Sequence, residues 1–353
     1  MNENEINDVR NSSDFKNLTF SEFSRSKVKI ELIKSIHNND IEPACYWAVE
    51  LICAGHYNDL WNCIITYSSR YIHISNPKLP LYLSKRFEVF KNIVNNGYQD
   101  NELYLRNNND IRKLFAEIIT ILCYSKKGHC YENYAIKNSE EFDITNITNR
   151  LNANNIEYAN QIFTNKDPKE IFIAINEFMF NISEANRDTV AACYWLEWIL
   201  KFESIYKQKK IILECERRSF VPVENKYQMN IIWMLWEGII FMSQDKKNNE
   251  MTINALLSLF CIKYRPSSNK ARKYLIYWAI SILTEEINYN NPLIKNNNII
   301  KNILNNIDLI YKQIKKNEKT PNTDYLFDGI KEENNIDKSI KKLETMNLLL
   351  ENN

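Results

Sequence analysis

Residues 40–55 read DIEPACYWAVELICAG, and this run predicts one α-helix with a defined start and stop. Asp40 is a helix N-cap residue type, and Pro43 falls in the first turn, where a missing N–H is harmless. Ala44, Trp47, Ala48, Leu51 and Ile52 recur at helical spacing until Gly55 supplies a left-handed stop.

The same phrase returns downstream. DIEPACYW at 40–47 is echoed by DTVAACYW at 188–195, and a weaker copy ends in Tyr277-Trp278. In each copy a capped or polar start leads to a Tyr–Trp pair and then to aliphatics on the same face, the pattern of a duplicated helical hairpin. Chance reuse of a good core pattern is the competing explanation, because a solenoid needs three or more clear copies. Repetition would put Trp47 and Trp195 in equivalent buried positions, with Tyr46 and Tyr194 reaching polar partners at the rim.

Upstream, Thr19 and Glu22 suggest a capping box before an amphipathic helix over 23–36, which stops at His37-Asn38-Asn39. Downstream, similar logic predicts helices over 58–70, 79–95 and 110–125, with Gly97 and Gly128 ending the last two. Residues 131–165 lack apolar periodicity and are rich in Asn and acidic side chains, so a boundary is placed near residue 150. Helices resume over 168–183, 187–209, 227–243, 250–264, 269–288 and 295–317. The expected organisation is a flexible segment over 1–18, a helical domain over 19–150, a second over 151–318, and a tail over 319–353 with a short helix near 336–350. The fold class is all-α, a helical bundle or an irregular array of helical hairpins, with two repeated units as the simplest division.

Composition agrees. Only five Gly and eight Pro occur in 353 residues, too few for a sandwich, a propeller or an α/β enzyme with several tight phosphate-binding loops. Forty-five Lys and Arg balance forty-four Asp and Glu, so no global field draws the chain to nucleic acid or membrane. Its 51 Asn residues, with abundant Ile and Lys, fit an A/T-rich genome, such as that of a virus, microbe or parasite. Most of the eight Cys lie in apolar helical runs, where a reduced thiol acts as a small hydrophobe. The N-terminus has no apolar stretch that signals secretion, and the most apolar window, 231–242, includes Glu237 and is too short to span a bilayer. The expected location is intracellular, in cytoplasm or nucleus, or in a viral factory or virion.

Residues 34–55, KSIHNNDIEPACYWAVELICAG, resemble a segment of the RarA/MgsA family and its eukaryotic relative, the Werner-helicase-interacting ATPase. Lys34, Ser35, Ile36, Asp40, Ala44, Tyr46, Trp47, Ala54 and Gly55 fall on the family pattern. The stretch from Tyr67 to Pro77 is similar in outline, keeping a Ser and the Asn76-Pro77 turn but losing an acidic pair and a Gly. A further fragment, Pro266 to Asn269, looks like the family's Pro-Lys-Ser-Asn. The likeness covers about residues 25–95. It implies a helical oligomerisation or docking module of a clamp-loader-like AAA+ ATPase, without the ATPase: no G-x-x-x-x-G-K-[ST] loop is present.

Chemistry-bearing residues are sparse. Cys123, His129 and Cys130 cluster with zinc-ligand residue types but lack a second ligand pair, so a buried Cys123 beside a solvated turn is the expectation. His37, His56 and His73 each stand near a helix end, where imidazole commonly meets a carbonyl. Trp233 and Trp236, with Met229, Met234 and Met242, read as core. One charge cluster rises above background: Lys263, Arg265, Lys270, Arg272 and Lys273 surround the turn Pro266-Ser267-Ser268-Asn269, with no acidic residue from 262 to 284. Capping by Ser267 or Ser268 would leave free N–H groups and a helix dipole facing these cations, a phosphate-binding geometry suited to a nucleic-acid backbone. No catalytic group, metal or cofactor is expected. The function expected is a non-catalytic protein-interaction or self-association scaffold linked to DNA replication or genome maintenance. The alternatives are an assembly protein of an A/T-rich virus and a binder of nucleic-acid backbone; no membrane contact is expected.

Overall fold

The computed structural model describes residues 4–99, 101–128, 136, 142, 144–244 and 246–320. The run at 40–55 forms α2 (Ile41–Cys53), with Asp40 at its N-cap and Gly55 at φ +75° just beyond its end. It is the second member of a hairpin. α1 (Arg25–Asn38) ends in Asn39 at φ +65°, and the chain turns there so that α2 packs along α1.

The echo at 188–195 occupies the same place in a second hairpin. α7 (Phe172–Ile182) packs on α8 (Thr189–Gln208), the turn passes through Arg187 at φ +51°, and the Asp188 side chain caps α8 by accepting from the Ala191 N–H at 2.9 Å. The third, weaker copy lies on α11 (Asn269–Thr284), which packs on α10 (Lys247–Cys261). In the first two copies the Tyr and Trp rings meet edge-on, at 5.1 Å and 84° for Tyr46–Trp47 and at 5.3 Å and 81° for Tyr194–Trp195. The expected equivalence fails in burial. Trp195 is 1% exposed, whereas Trp47 is half-buried at the margin of α2, where Phe23 meets it edge-on.

The other helices are α3 (Tyr57–Tyr67), α4 (Leu79–Asn95), α5 (Asn109–Tyr124), the single turn α6 (Ile144–Thr148), α9 (Ile232–Ser243) and α12 (Asn297–Lys315). Among the described residues there is no strand, only isolated bridges at Leu18–Ser24 and Glu214–Asn230; the fold is all-α. α11 sits at its centre. Every residue from Arg272 to Ile282 is buried, as expected of a helix that is apolar nearly all round, and α3, α7, α8, α9 and α10 all touch it. Trp233 and Trp236 are fully buried core, and Gly238 of α9 lets Met179 of α7 approach: a Cβ there would lie 2.3 Å from its sulfur.

Several local expectations change. Thr19 and Glu22 do not cap α1; Ser24 does, and Thr19 and Glu22 instead close a tight turn, Glu22 N–H to Thr19 O, with Glu22 at φ +65°. Gly128 does not end α5. Ser125 takes the cap position, and the Lys127 ammonium donates to the carbonyls of Leu122, Cys123 and Ser125 at 2.8–3.0 Å. Gly128 is needed for a close approach, since a Cβ would lie 2.3 Å from Ser75 Oγ. After α3 the backbone continues as one π-turn, Ser68–Ile72, and leaves it through His73 at φ +51°.

The N-terminal segment, expected to be flexible, is packed from residue 4 onward. Ile6 and Phe15 are buried, Asn107 pairs with both Ile6 N–H and Ile6 O at 2.9 Å, and Asp8 accepts from the Lys319 N–H. Its polar composition hid two apolar anchors and their polar sockets. Nor does a gap between cores fall near residue 150. Buried residues from both sides form one hydrophobic cluster, with α12 packed on α2 and α5 and α10 packed on α4. The described part of the 131–165 excursion is held by α7: Glu177 accepts from the N–H groups of Asn152 and Ala153, and Asn176 binds Ala159 N–H and Asn155 O. The tail helix near 336–350 lies outside the described residues.

Truncating Trp195 to Ala should cost about 3–5 kcal/mol, as for a fully buried aromatic, and Trp47 to Ala about half as much. Chemical denaturation checks this; equal costs at the two positions would contradict the difference in packing.

Candidate functional site

The basic turn predicted at 263–273 is broken up by the fold. Pro266–Ser268 form a short 3-10 turn that runs directly into α11. Ser268 occupies the N-cap position, but its hydroxyl donates backward to Arg265 O at 2.6 Å and caps nothing. The Ser268 N–H binds Arg265 O and the Asn269 N–H binds Pro266 O, which reduces the free N–H groups that an anion at this helix start would use.

The cations divide into two sets. Lys263, Arg265 and Lys270 are exposed, as is Ser267. Arg272 and Lys273, expected on the surface, are buried because the inward face of α11 begins with them. Lys273 Nζ meets Glu197 Oε1 of α8 at 2.5 Å, and Tyr277 Oη donates to the same oxygen. Lys263 lies 3.9 Å from Glu102. For Lys273 and Lys263 the acidic residues missing from 262 to 284 are supplied by carboxylates distant in sequence.

The turn forms a wall between two clefts. One, of about 560 Å³, is lined by Lys270 and Lys273 together with Glu197, Glu203, Lys201 and Lys207. Here Glu203 Oε1 accepts from Asn230 Nδ2 at 2.9 Å, Asn230 Oδ1 accepts from Asn269, and Asn269 Oδ1 accepts from the Tyr264 hydroxyl. Burial holds the Glu203 carboxyl above its usual range, against the hydrogen bond from Asn230. The other cleft, of about 730 Å³, lies between α3–α4 and α10–α11. Its wall includes Trp61, Phe87, Phe90, Val94 and Ile262, and its charged lining residues are Lys91, Lys263, Arg265, Arg272, Glu88 and Glu102. Trp61 packs edge-on against Phe87 at 5.0 Å, and its buried indole N–H has no acceptor among the described residues. Nothing local in the sequence marked this cleft, since its walls come from four helices and from the turns at Glu102, Pro222 and Lys263 to Arg265.

Other expected sites resolve into structure. Cys123 is buried and its thiol is pushed up to about 12 by burial. His129 and Cys130 lie outside the described residues, and no group of three or more His, Cys, Asp or Glu suited to a metal occurs among the described ones. His56 meets the Leu18 carbonyl at 2.8 Å, and His37 stands edge-on to Tyr71 at 5.4 Å. His73 meets no carbonyl among the described residues. It is buried, stacks on Trp278 at 5.6 Å, and leaves both ring nitrogens without a partner among the described residues. No described helix is long and apolar enough to cross a membrane.

Burial lowers the His73 pKa to about 3, below an ordinary value near 6.5. Above about 6.5 neither state is protonated; from there down to about 3 only the unfolded chain takes the proton. Stability conferred by the neutral ring is therefore full above that range and falls with pH at about 1.4 kcal/mol per unit. Between pH 7 and 5, urea denaturation should show wild type losing about 2 kcal/mol more than His73→Phe, which keeps a ring against Trp278. Equal pH slopes would contradict a buried neutral imidazole.

The chain matches no protein-family model, no curated protein and no solved structure.

Proposed function

We propose that this chain is a non-catalytic helical scaffold that binds protein partners or further copies of itself, in the service of DNA replication or genome maintenance. The reading is carried by how polar groups are allotted. Inside, the carboxylates of Glu50, Asp167 and Glu177 hold backbone N–H groups, Asp167 also binds Arg218, and burial keeps the thiols of Cys45, Cys63, Cys123, Cys215 and Cys261 protonated, with values raised to about 12. Groups so committed make poor acids, bases and nucleophiles. Outside, the cleft between α3–α4 and α10–α11 has an apolar wall and a rim of both charges, the composition of a protein interface. The resemblance of residues 34–55 to the oligomerisation region of the RarA/MgsA family supports self-association and the link to replication.

A second reading, contact with a nucleic-acid backbone, is favoured by Lys263, Arg265 and Lys270 remaining exposed around one turn. On that reading, duplex binding would be independent of sequence, would weaken steeply with salt, and would be lost in Arg265→Glu/Lys270→Glu.

Sedimentation velocity on the full chain tests the scaffold reading, alone and with purified sliding clamp, polymerase and single-strand-binding protein. Expected is concentration-dependent self-association or a stoichiometric complex with one of them, and no ATP turnover. A chain that stays monomeric, joins none of them and hydrolyses ATP would contradict it.

A further inference from the structure

Arg272 is buried and uncompensated. It is 6% exposed, and its guanidinium donates from Nη1 to Phe260 O at 2.6 Å and from Nη2 to Asn62 Oδ1 at 3.2 Å. Those bonds engage two of its five N–H groups. It forms no ion pair among the described residues, and burial depresses its pKa. Three other buried cations have a carboxylate. Lys273 has Glu197, Arg218 has Asp167 and Glu237, and Arg112 has Asp308. Arg106, which also meets only carbonyls, anchors the N-terminal segment through Asp8 O. A buried cation without a counter-charge is costly, and an apolar residue in its place would ordinarily be more stable.

Arg272 also lines the 730 Å³ cleft. We infer that this cleft is a docking site for an apolar protein segment that carries an acidic side chain, whose carboxylate Arg272 receives. The inference rests on the scaffold reading and names the chemistry of its partner. Three observations select that occupant. Phe87 and Val94 are half-buried on the cleft wall, so an apolar segment has surface to cover. The planar guanidinium with unmatched N–H groups suits a carboxylate. Of the remaining rim cations, Lys91 is paired with Glu88 at 2.8 Å and Lys263 with Glu102 at 3.9 Å, while Arg265 is in solvent and has no ion pair among the described residues. A phosphodiester chain would carry repeated negative charge past Glu88 and Glu102, whereas an isolated carboxylate need not.

Two substitutions isolate the site. Arg272→Met removes the buried charge at similar volume. Asn62→Asp puts a carboxylate where the Arg272 partner oxygen already lies, so that the protein supplies its own anion. Both should hold or raise Tm, by roughly 1–4 °C, if Arg272 is retained for binding and not for stability.

The probe is a phage-displayed library of random dodecapeptides panned on the full chain, followed by fluorescence anisotropy with the selected peptides and with a dT20 oligonucleotide. Selected peptides are expected to carry Asp or Glu beside aromatic or aliphatic residues. Exchanging that acid for its amide should weaken binding about tenfold or more, and so should each protein variant. Peptides that bind without an acidic residue, or that ignore Asn62→Asp, would overturn the Arg272 site while leaving the scaffold reading intact. Competition by dT20 that the two variants abolish would assign the cleft to nucleic acid instead. A chain that retains no peptide would overturn the Arg272 site, and one that in addition neither self-associates nor joins any of the replication proteins would overturn both readings.

Discussion

Helix α11 has no solvent face from Arg272 to Ile282, and that burial sets the terms for the rest of the molecule. Its aliphatic and aromatic residues supply the surface on which α3, α7, α8, α9 and α10 converge. Because apolar burial is non-directional, it is the polar residues at the start of the helix that fix how these neighbours are placed. Asn269 is held by Tyr264 and Asn230, and Lys273 by Glu197. Among the described residues Arg272 is answered by a carbonyl and an amide alone. The centre of the fold and the candidate site are therefore the same helix.

Buried polar groups do similar work elsewhere. A segment without regular structure carries unpaired N–H and C=O groups that must be met if it lies against a core. Glu177 and Asn176 meet those of residues 152–159, and Arg218 with Asp167 ties Ile162, Thr164 and Glu216 together. Asp8 and Asn107 join the N-terminal segment to the stretch after α12 and to the start of α5. Glu177, Asp167, Arg218 and Asp8 are thus, in place, the hydrogen-bond partners of loops.

The helices were largely legible in the sequence, because periodicity and punctuation are local. Asp40, Pro43 and Gly55 bracket α2, and Asp188 caps α8 as its sequence suggests. The Tyr–Trp echo also had structural content, since each copy falls on the second helix of a hairpin. Legibility ended where an answer depended on residues far apart. Lys273 reads as surface until Glu197 is found beside it, 76 positions away. Trp47 and Trp195 share a motif, yet their burial depends on neighbours that the motif does not encode. The segment before residue 18 reads as polar, although Ile6 and Phe15 are enough to seat it. The cleft beside Arg272 is the extreme case, because its walls come from α3, α4, α10 and α11 and no single stretch announces it.

If α11 joins both halves of the chain into one cooperative core, native-state hydrogen exchange across a urea series measures this directly. The amides of 275–282 should be the slowest in the protein, exchanging only by global opening, and the amides of α2, α5 and α12 should merge with them as denaturant rises. Separate unfolding isotherms for residues before and after 150, with α11 exchanging ahead of global opening, would contradict a single core built on this helix.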